Sequence, residues 1–286
     1  MTKRDQIKEI IYEAAIAKQQ RSQLSQKDRA IEPIMRKTAR GAQKSFRIFW
    51  REFKKGFRTL RPLFDVRESL VVEAPTPSDI DPIVDAALLA SSPEMQKAII
   101  DGVTASIIIG GENLAKNLGI GLSFDIATDM SVLQYIATVG ADRVVQINDT
   151  TKNQMRNILL HAVDNGWSWQ RTAEEMEDRL GNWGIIGPPL RPSSRDLRTR
   201  AEVIAVTEIG EAYEAGTNAT AQRLADAGLI LEKRWITKGD NRVSDEDRKN
   251  AAQGWIPLAN NFSSGDPHPL SHPGCRCTAV HRVVLP

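Results

Sequence analysis

Residues 200–236 read RAEVIAVTEIGEAYEAGTNATAQRLADAGLILEKRWI. The first two thirds are helical in pattern. Ala201, Ala205, Ala212, Ala215, Gly216 and Ala219 are small, which lets another helix approach closely. The spacing predicts a helix from about Arg195 to Ala227, stopped by Gly228. From Leu229 to Ile236 the period changes to alternation, the mark of a strand. A long helix giving way to short strands predicts a mainly α protein with a smaller α+β region at the C-terminus.

Downstream, Asp240-Asn241 predicts a turn and Ser244 caps a short helix through Ala252. Trp255-Ile256-Pro257 predicts an edge strand, because proline cannot donate to a ladder. Thr278 to Leu285 predicts a final strand. Upstream, Ser168 caps a helix carrying Trp169, Ala173, Met176 and Leu180, ended by Gly181. Before it, Asp149-Thr150 opens a helix with Met155, Ile158, Leu159 and Ala162 on one stripe, ended by Gly166. Asp129 caps another through Ala137. Asp79 caps a short helix to Leu89, and Ser92-Pro93-Glu94 starts a helix reaching Leu118, with Gly110 and Gly111 weakening its middle. Residues 5–32 are helical and polar, as a long exposed helix or a mobile arm. Proline-rich stretches at 73–78 and 184–194 divide the chain into a basic helical arm (1–72), a helical domain (73–190) and a C-terminal α+β domain (191–286).

The 286 residues suffice for one large domain or two ordinary ones, and 41% hydrophobic with 26% charged residues describes a globular chain. No run approaches the roughly 18 consecutive apolar residues of a membrane span. The start, Thr2-Lys3-Arg4-Asp5, lacks the apolar core of a secretory signal. A net charge of +2 conceals a polarity: residues 1–67 hold 18 Lys or Arg against 7 Asp or Glu, a net of +11, which leaves −9 on the rest. A basic arm suggests an anionic partner. Within it, Phe46, Phe49, Trp50, Phe53, Phe57, Leu60 and Phe64 recur at helical spacing. Lys44, Arg47, Arg51, Lys54, Lys55, Arg58 and Arg61 fill the gaps. The aromatic face predicts packing on the protein or a partner; the cationic face offers contact with DNA phosphates or a membrane surface.

Three segments carry a further signal in order: Arg200-Ala201-Glu202-Val203-Ile204-Ala205-Val206-Thr207-Glu208, then Trp235 with Asp240-Asn241-Arg242-Val243, then His272-Pro273-Gly274-Cys275-Arg276-Cys277. Together they resemble the signature of the phage Mu F-like head-morphogenesis family, with the resemblance extending from about Arg143 to His281. It implies a minor head protein of a tailed bacteriophage: a low-copy virion component inside the capsid near the portal vertex. Its role would lie in prohead assembly, DNA packaging or DNA ejection, after synthesis in the host cytoplasm. The partners implied are the portal protein, the major capsid or scaffold protein, and packaged DNA. It implies no enzyme; the alternative is a metal-dependent nuclease or DNA-binding protein of phage origin. Relatives often place a His or Cys shortly after the second motif, where this chain has Ser244-Asp245-Glu246-Asp247. A ligand there would have to be Asp245 or Asp247.

The residues themselves suggest limited chemistry. Cys275 and Cys277 are too close in sequence for an unstrained disulfide. His272, Cys275, Cys277 and His281 supply four ligands suited to tetrahedral zinc, although Cys-x-Cys is tighter than usual spacing. Strand alternation would put Cys277 and His281 on one face. The competing reading is a pair of reduced cysteines packed at a strand end. Glu208 shares the face of Ile204 and Ala201, so its carboxylate needs a cation, expected to be Arg242 or Arg276. Asp240, Asp245, Glu246 and Asp247 form an acidic cluster suited to a divalent ion or a solvated loop. Phosphate-binding glycine loops and hydrolase motifs are absent, and only four histidines are present.

Overall fold

The computed structural model describes residues 3–65, 75–181, 200–270 and 272–284. In order, the elements are α1 (Lys3–Phe57), α2 (Arg61–Asp65), α3 (Pro77–Leu118), α4 (Met130–Asp164), α5 (Trp169–Gly181), α6 (Arg200–Asp226), β1 (Leu231–Ile236), α7 (Asp245–Ala252), β2 (Ile256–Pro257) and β3 (Thr278–Val283). The protein is mainly α with a small antiparallel sheet near the C-terminus, as expected. The expected boundaries at 72/73 and 190/191, and the loop at 184–194, lie outside the described residues.

Two compact units divide the chain, and neither is continuous in sequence. The first comprises residues 1–36, 102–134 and 205–286; the second comprises 37–101 and 135–204.

The second unit is organised by the aromatic face of α1. Phe49, Phe53 and Phe57 stand one helical turn apart, with ring centroids 5.9 and 5.2 Å apart, and all three are buried. They form one core with Ile80, Val84, Leu88, Met155, Leu159 and Met176. Trp169 stacks on Phe57 and donates its indole N–H to the Phe57 carbonyl (3.1 Å). The aromatic face is therefore internal core, and the cationic residues between these rings lie outward. Arg156 forms a two-pronged bond with Asp81 (2.7 and 2.6 Å).

Helix ends and continuities differ from expectation for identifiable reasons. Residues 5–32 do not form a separate exposed arm: α1 continues through Pro33 to Phe57, and Leu24, Lys27 and Ile31 are buried. The cap of α3 is Thr76, not Asp79. Pro77 takes the first helical position, and the Asp79 carboxylate reaches back to the Thr76 N–H and hydroxyl (2.8 Å each). Pro93 lies within α3 and does not start a helix. The carbonyl it deprives of a partner belongs to Leu89, which is 77% exposed and open to water. Asp149-Thr150 does not open a helix either, because α4 runs unbroken. The Thr150 and Thr151 hydroxyls fold back onto the Gln146 and Ile147 carbonyls, satisfying within the helix the groups that would otherwise cap one. Ser168, Ser244 and Gly166 act as expected.

In the first unit, α3 and α6 meet at their glycines. A Cβ on Gly216 would fall 2.1 Å from the Ile107 carbonyl oxygen, and one on Gly110 would fall 2.2 Å from that of Tyr213. Such proximity makes backbone accessible to side chains: Ser106 donates to the Ile209 carbonyl (2.7 Å) and Thr217 to that of Gly110 (3.2 Å). Gly110 and Gly111 thus create a helix crossing and do not break α3. Among the described residues, α3 alone holds an 18-residue window apolar enough to cross a membrane (mean hydropathy 1.3), and half of that window is buried inside the protein. The sheet runs β2-β1-β3, all antiparallel. Lys233 lies opposite His281 and Trp235 opposite Ala279.

The two helical glycines of α6 should respond oppositely to alanine. Gly216→Ala meets backbone and should cost about 1–3 kcal/mol or more in urea unfolding. Gly210→Ala meets only Leu270 methyls at 3.5 Å and should be neutral or gain up to about 1 kcal/mol. Equal effects would contradict the glycine crossing.

Candidate functional site

The first unit is centred on a charge pair that sequence reading missed. Lys27 of α1 donates to Glu214 Oε1 of α6 (2.6 Å) and to the Cys277 carbonyl (2.6 Å). The other Glu214 oxygen accepts the Ala279 N–H of β3 (2.9 Å). The two side chains are 3% and 0% exposed. The Lys27 ammonium also lies 5.4 Å from the centre of the Tyr213 ring, a cation–π distance. The pair thus joins two helices to the final strand.

Beside this junction is a thiol cluster. Ser244 caps α7 by accepting the Asp247 N–H (3.0 Å), which fixes Asp247 in the first turn, 2% exposed. His272 Nε2 donates to Asp247 Oδ2 (3.0 Å), while His272 Nδ1 is 3.1 Å from the Pro273 carbonyl. Cys275 Sγ lies 3.6 and 3.8 Å from the two Asp247 oxygens. Ligand atoms of Asp247, Cys275 and Cys277 are all within 4.8 Å of one another. Trp235, fully buried, and Phe262 wall the cluster, their rings edge to face at 5.0 Å. The Gly274 N–H is tied to Thr207 of the first motif (3.0 Å).

The electrostatics follow from this packing. Burial pushes the Asp247 carboxyl upward, but hydrogen bonds from His272 and Ser244 prevail and hold it at about 2. The hydrogen bond to Asp247, then that to Cys275, raises His272 to about 10. The two thiols share one proton site. The hydrogen bond from Cys277 draws Cys275 down to about 6, and that same bond with burial pushes Cys277 far up.

The other expected site residues are distributed differently. Asp240 accepts two bonds from Arg276 (2.7 and 2.8 Å) and the Arg242 backbone N–H (3.1 Å). Although partial burial opposes it, those bonds hold its carboxyl below the usual range. Asp240 therefore bridges the second and third motifs. Arg276, one of the two cations expected opposite Glu208, is engaged by Asp240; Glu208 itself is buried on α6. Asp245 is 90% exposed and paired with Arg248 (2.6 Å), so the acidic run does not converge. The side chain of Arg200 lies outside the described residues.

His281 stands apart from the thiols. It lies on β3 across from Lys233 and lines a small cavity with Tyr213 and Thr217. Neither ring nitrogen has a hydrogen-bond partner. Burial, then the charges of Lys233 and His268, lower it to about 3. Lys233 is itself buried, which brings it down to about 8, and it donates to the Pro267 carbonyl (2.7 Å).

On α1, Lys44 pairs with Glu94 (3.0 Å), Arg51 and Lys55 share Glu52 (2.9 and 2.8 Å), and Lys54 lies over Trp50 (5.0 Å). Arg61 lies 5.9 Å from the Trp169 ring. Lys44, Arg47, Arg51, Lys55, Arg58 and Arg61 are exposed.

Two outcomes are expected. Lys27→Met should cost about 3–5 kcal/mol in urea unfolding by stranding the Glu214 charge, and Lys27→Met with Glu214→Leu should cost less than the sum of the two single changes. An additive cycle would contradict direct pairing. His281 stays neutral when folded but takes a proton near pH 6.5 when unfolded, so it removes stability as pH falls below that value. His281→Leu should gain on the parent by about 1.4 kcal/mol between pH 7.5 and 5.5. A difference that stays constant with pH would show that His281 titrates alike in both states.

Comparison with known proteins bears on the motif-carrying half of the chain. No curated protein and no solved structure matches it. Residues 153–280 match the family described as Phage Mu protein F like protein, a stretch that takes in α5, α6, the thiol cluster and most of the sheet, and over that stretch the chain is similar to Mu F-like phage proteins.

Proposed function

We propose that the chain is a minor head protein of a tailed bacteriophage, a low-copy virion component that acts in prohead assembly and in DNA packaging or ejection near the portal. The observation that carries this reading is the family match over residues 153–280. The geometry agrees with a scaffolding role. Asp240 and Arg276 neutralise each other, Trp235 is core, and Thr207 holds the Gly274 N–H. These motif side chains are committed to other parts of the same chain, as expected of a module that holds shape.

The partners in this reading are the portal protein, a capsid or scaffold protein, and packaged DNA. The outward face of the end of α1 and of the turn and helix that follow supports contact with DNA: Arg47 and Arg51 of α1, Arg58 just beyond it and Arg61 of α2 are exposed arginines on segments whose opposite face is fixed in a core. Cations held on packed helical segments can follow a phosphate backbone and release its counterions.

Disruption of this reading frame in the phage that carries it should yield heads that fail to package or deliver DNA, with infectivity restored by the gene in trans. Mass spectrometry of purified virions should find the chain at a few copies per particle. Fully infectious particles without it would sink the proposal. Changing Arg47, Arg51, Arg58 and Arg61 to Gln should flatten the salt dependence of DNA binding by roughly 0.9 for each phosphate no longer neutralised. An unchanged slope would remove DNA from the partners of this face.

A further inference from the structure

We infer that Asp247, His272, Cys275 and Cys277 form a closed structural zinc site that ties the first turn of α7 to the loop entering β3. The set differs from the one expected from spacing: Asp247 takes the place of His281. Strand register explains the exchange. His281 lies across from Lys233, farther along β3 than Ala279, whose partner across the strand is Trp235. Trp235 packs with Cys275 and Cys277, whereas His281 faces the cavity beside Tyr213.

Distances fit a tetrahedral ion. With Zn–S near 2.3 Å and Zn–O or Zn–N near 2.0 Å, a sulfur and an oxygen ligand stand about 3.5 Å apart, and a nitrogen and an oxygen about 3.3 Å. Ligand atoms of Asp247, Cys275 and Cys277 lie within 4.8 Å of one another, and measured to the same Asp247 Oδ2 the separations are 3.8 Å for Cys275 Sγ and 3.0 Å for His272 Nε2, so closing the shell on the ion takes shifts of a few tenths of an ångström. The Nδ1 of His272 is 3.1 Å from the Pro273 carbonyl and its Nε2 proton is directed at Asp247; an incoming zinc would displace that Nε2 proton and leave the Nδ1–H on the carbonyl, the arrangement common among metal-ligating histidines.

Charge points the same way. A carboxylate and two sulfurs converge in a place where all three residues are buried, and the one cationic group among the four side chains is the His272 imidazole. Zinc binding would release the thiol protons, and the resulting thiolates and carboxylate are held away from water only with a cation among them. Two sulfurs with one nitrogen and one oxygen select a thiophilic ion over calcium or magnesium. With four protein ligands no position remains for water or substrate, which makes the site structural.

The same residues allow a rival reading in which Asp247, His272 and Cys275 act as a nucleophile relay. Cys275 is 3% exposed and has the second sulfur beside it, so the geometry favours a closed ion site over an open nucleophile.

The test uses the full chain, expressed with ample zinc and purified without chelator. Elemental analysis should find about one zinc per chain. Replacement by Co(II) should give the visible bands of a tetrahedral ion and a sulfur-to-metal charge-transfer band. Asp247→Ala and Cys277→Ser should lower occupancy to below about one tenth. His281→Gln should leave it unchanged. Asp247→Cys keeps four ligands and guards against a variant that merely fails to fold: it should remain loaded, with a stronger charge-transfer band. A folded chain with no zinc and no tetrahedral Co(II) spectrum overturns the site. So does full occupancy in Cys277→Ser, loss of metal in His281→Gln, or rapid alkylation of Cys275 by iodoacetamide in the native chain as purified.

Discussion

The first unit depends on a buried ion pair whose two partners also bond to main chain. An ammonium and a carboxylate at 2.6 Å, both sealed from water, would stabilise little alone, because the cost of desolvating two charges offsets most of their attraction. Here each partner also bonds to main chain: Lys27 to the Cys277 carbonyl and Glu214 to the Ala279 N–H. Those two groups flank the start of β3, so the pair fixes where that strand begins. The strand start in turn sets the position of Cys277 and, through the antiparallel register, which residue faces Trp235. The thiol cluster is accordingly placed by a contact made in α1, 250 residues earlier in the chain.

The glycine crossing supplies the second constraint. Ion-pair geometry tolerates little error, and α6 must be positioned accurately to carry Glu214. Gly216 and Gly110 allow α6 and α3 to approach until carbonyl oxygens take the space where Cβ atoms would stand. Ser106 and Thr217 then bond across the gap to main-chain oxygens. A contact that close permits little sliding, because shifting either helix by one residue would drive a side chain into backbone. Glu214 lies two residues before Gly216, so the crossing and the ion pair locate each other.

Much of this was legible in the sequence, and the remainder was hidden for definite reasons. Local signals were reliable where one residue acts on its own backbone: Ser168 and Ser244 cap helices, Gly166 and Gly228 end them at positive φ, and Pro257 lies on an edge strand. They misled where tertiary packing outweighs a local preference. Pro93, Asp149 and Thr150 look like helix starts, yet the helices run through them because buried residues on both sides hold a single register. The candidate site was half legible. The His272-to-Cys277 segment announces its donors by composition. Asp247 became distinguishable from Asp245 only through burial, since one faces the thiols and the other faces solvent. Lys27 carried no signal at all: a lysine in a polar helix looks the same whether its end meets water or a carboxylate.

The chemistry of the signature residues follows from how fully their bonding capacity is engaged within the chain. Asp240 commits both oxygens to Arg276 and accepts a backbone N–H as well. The His272 ring has a carbonyl on one nitrogen and Asp247 on the other. Cys275 and Cys277 face each other behind Trp235 and Phe262. Of these groups, Asp240 and Asp247 are bound by residues drawn from a different segment of the chain. Such an arrangement uses these side chains as cross-links between separate segments of the chain.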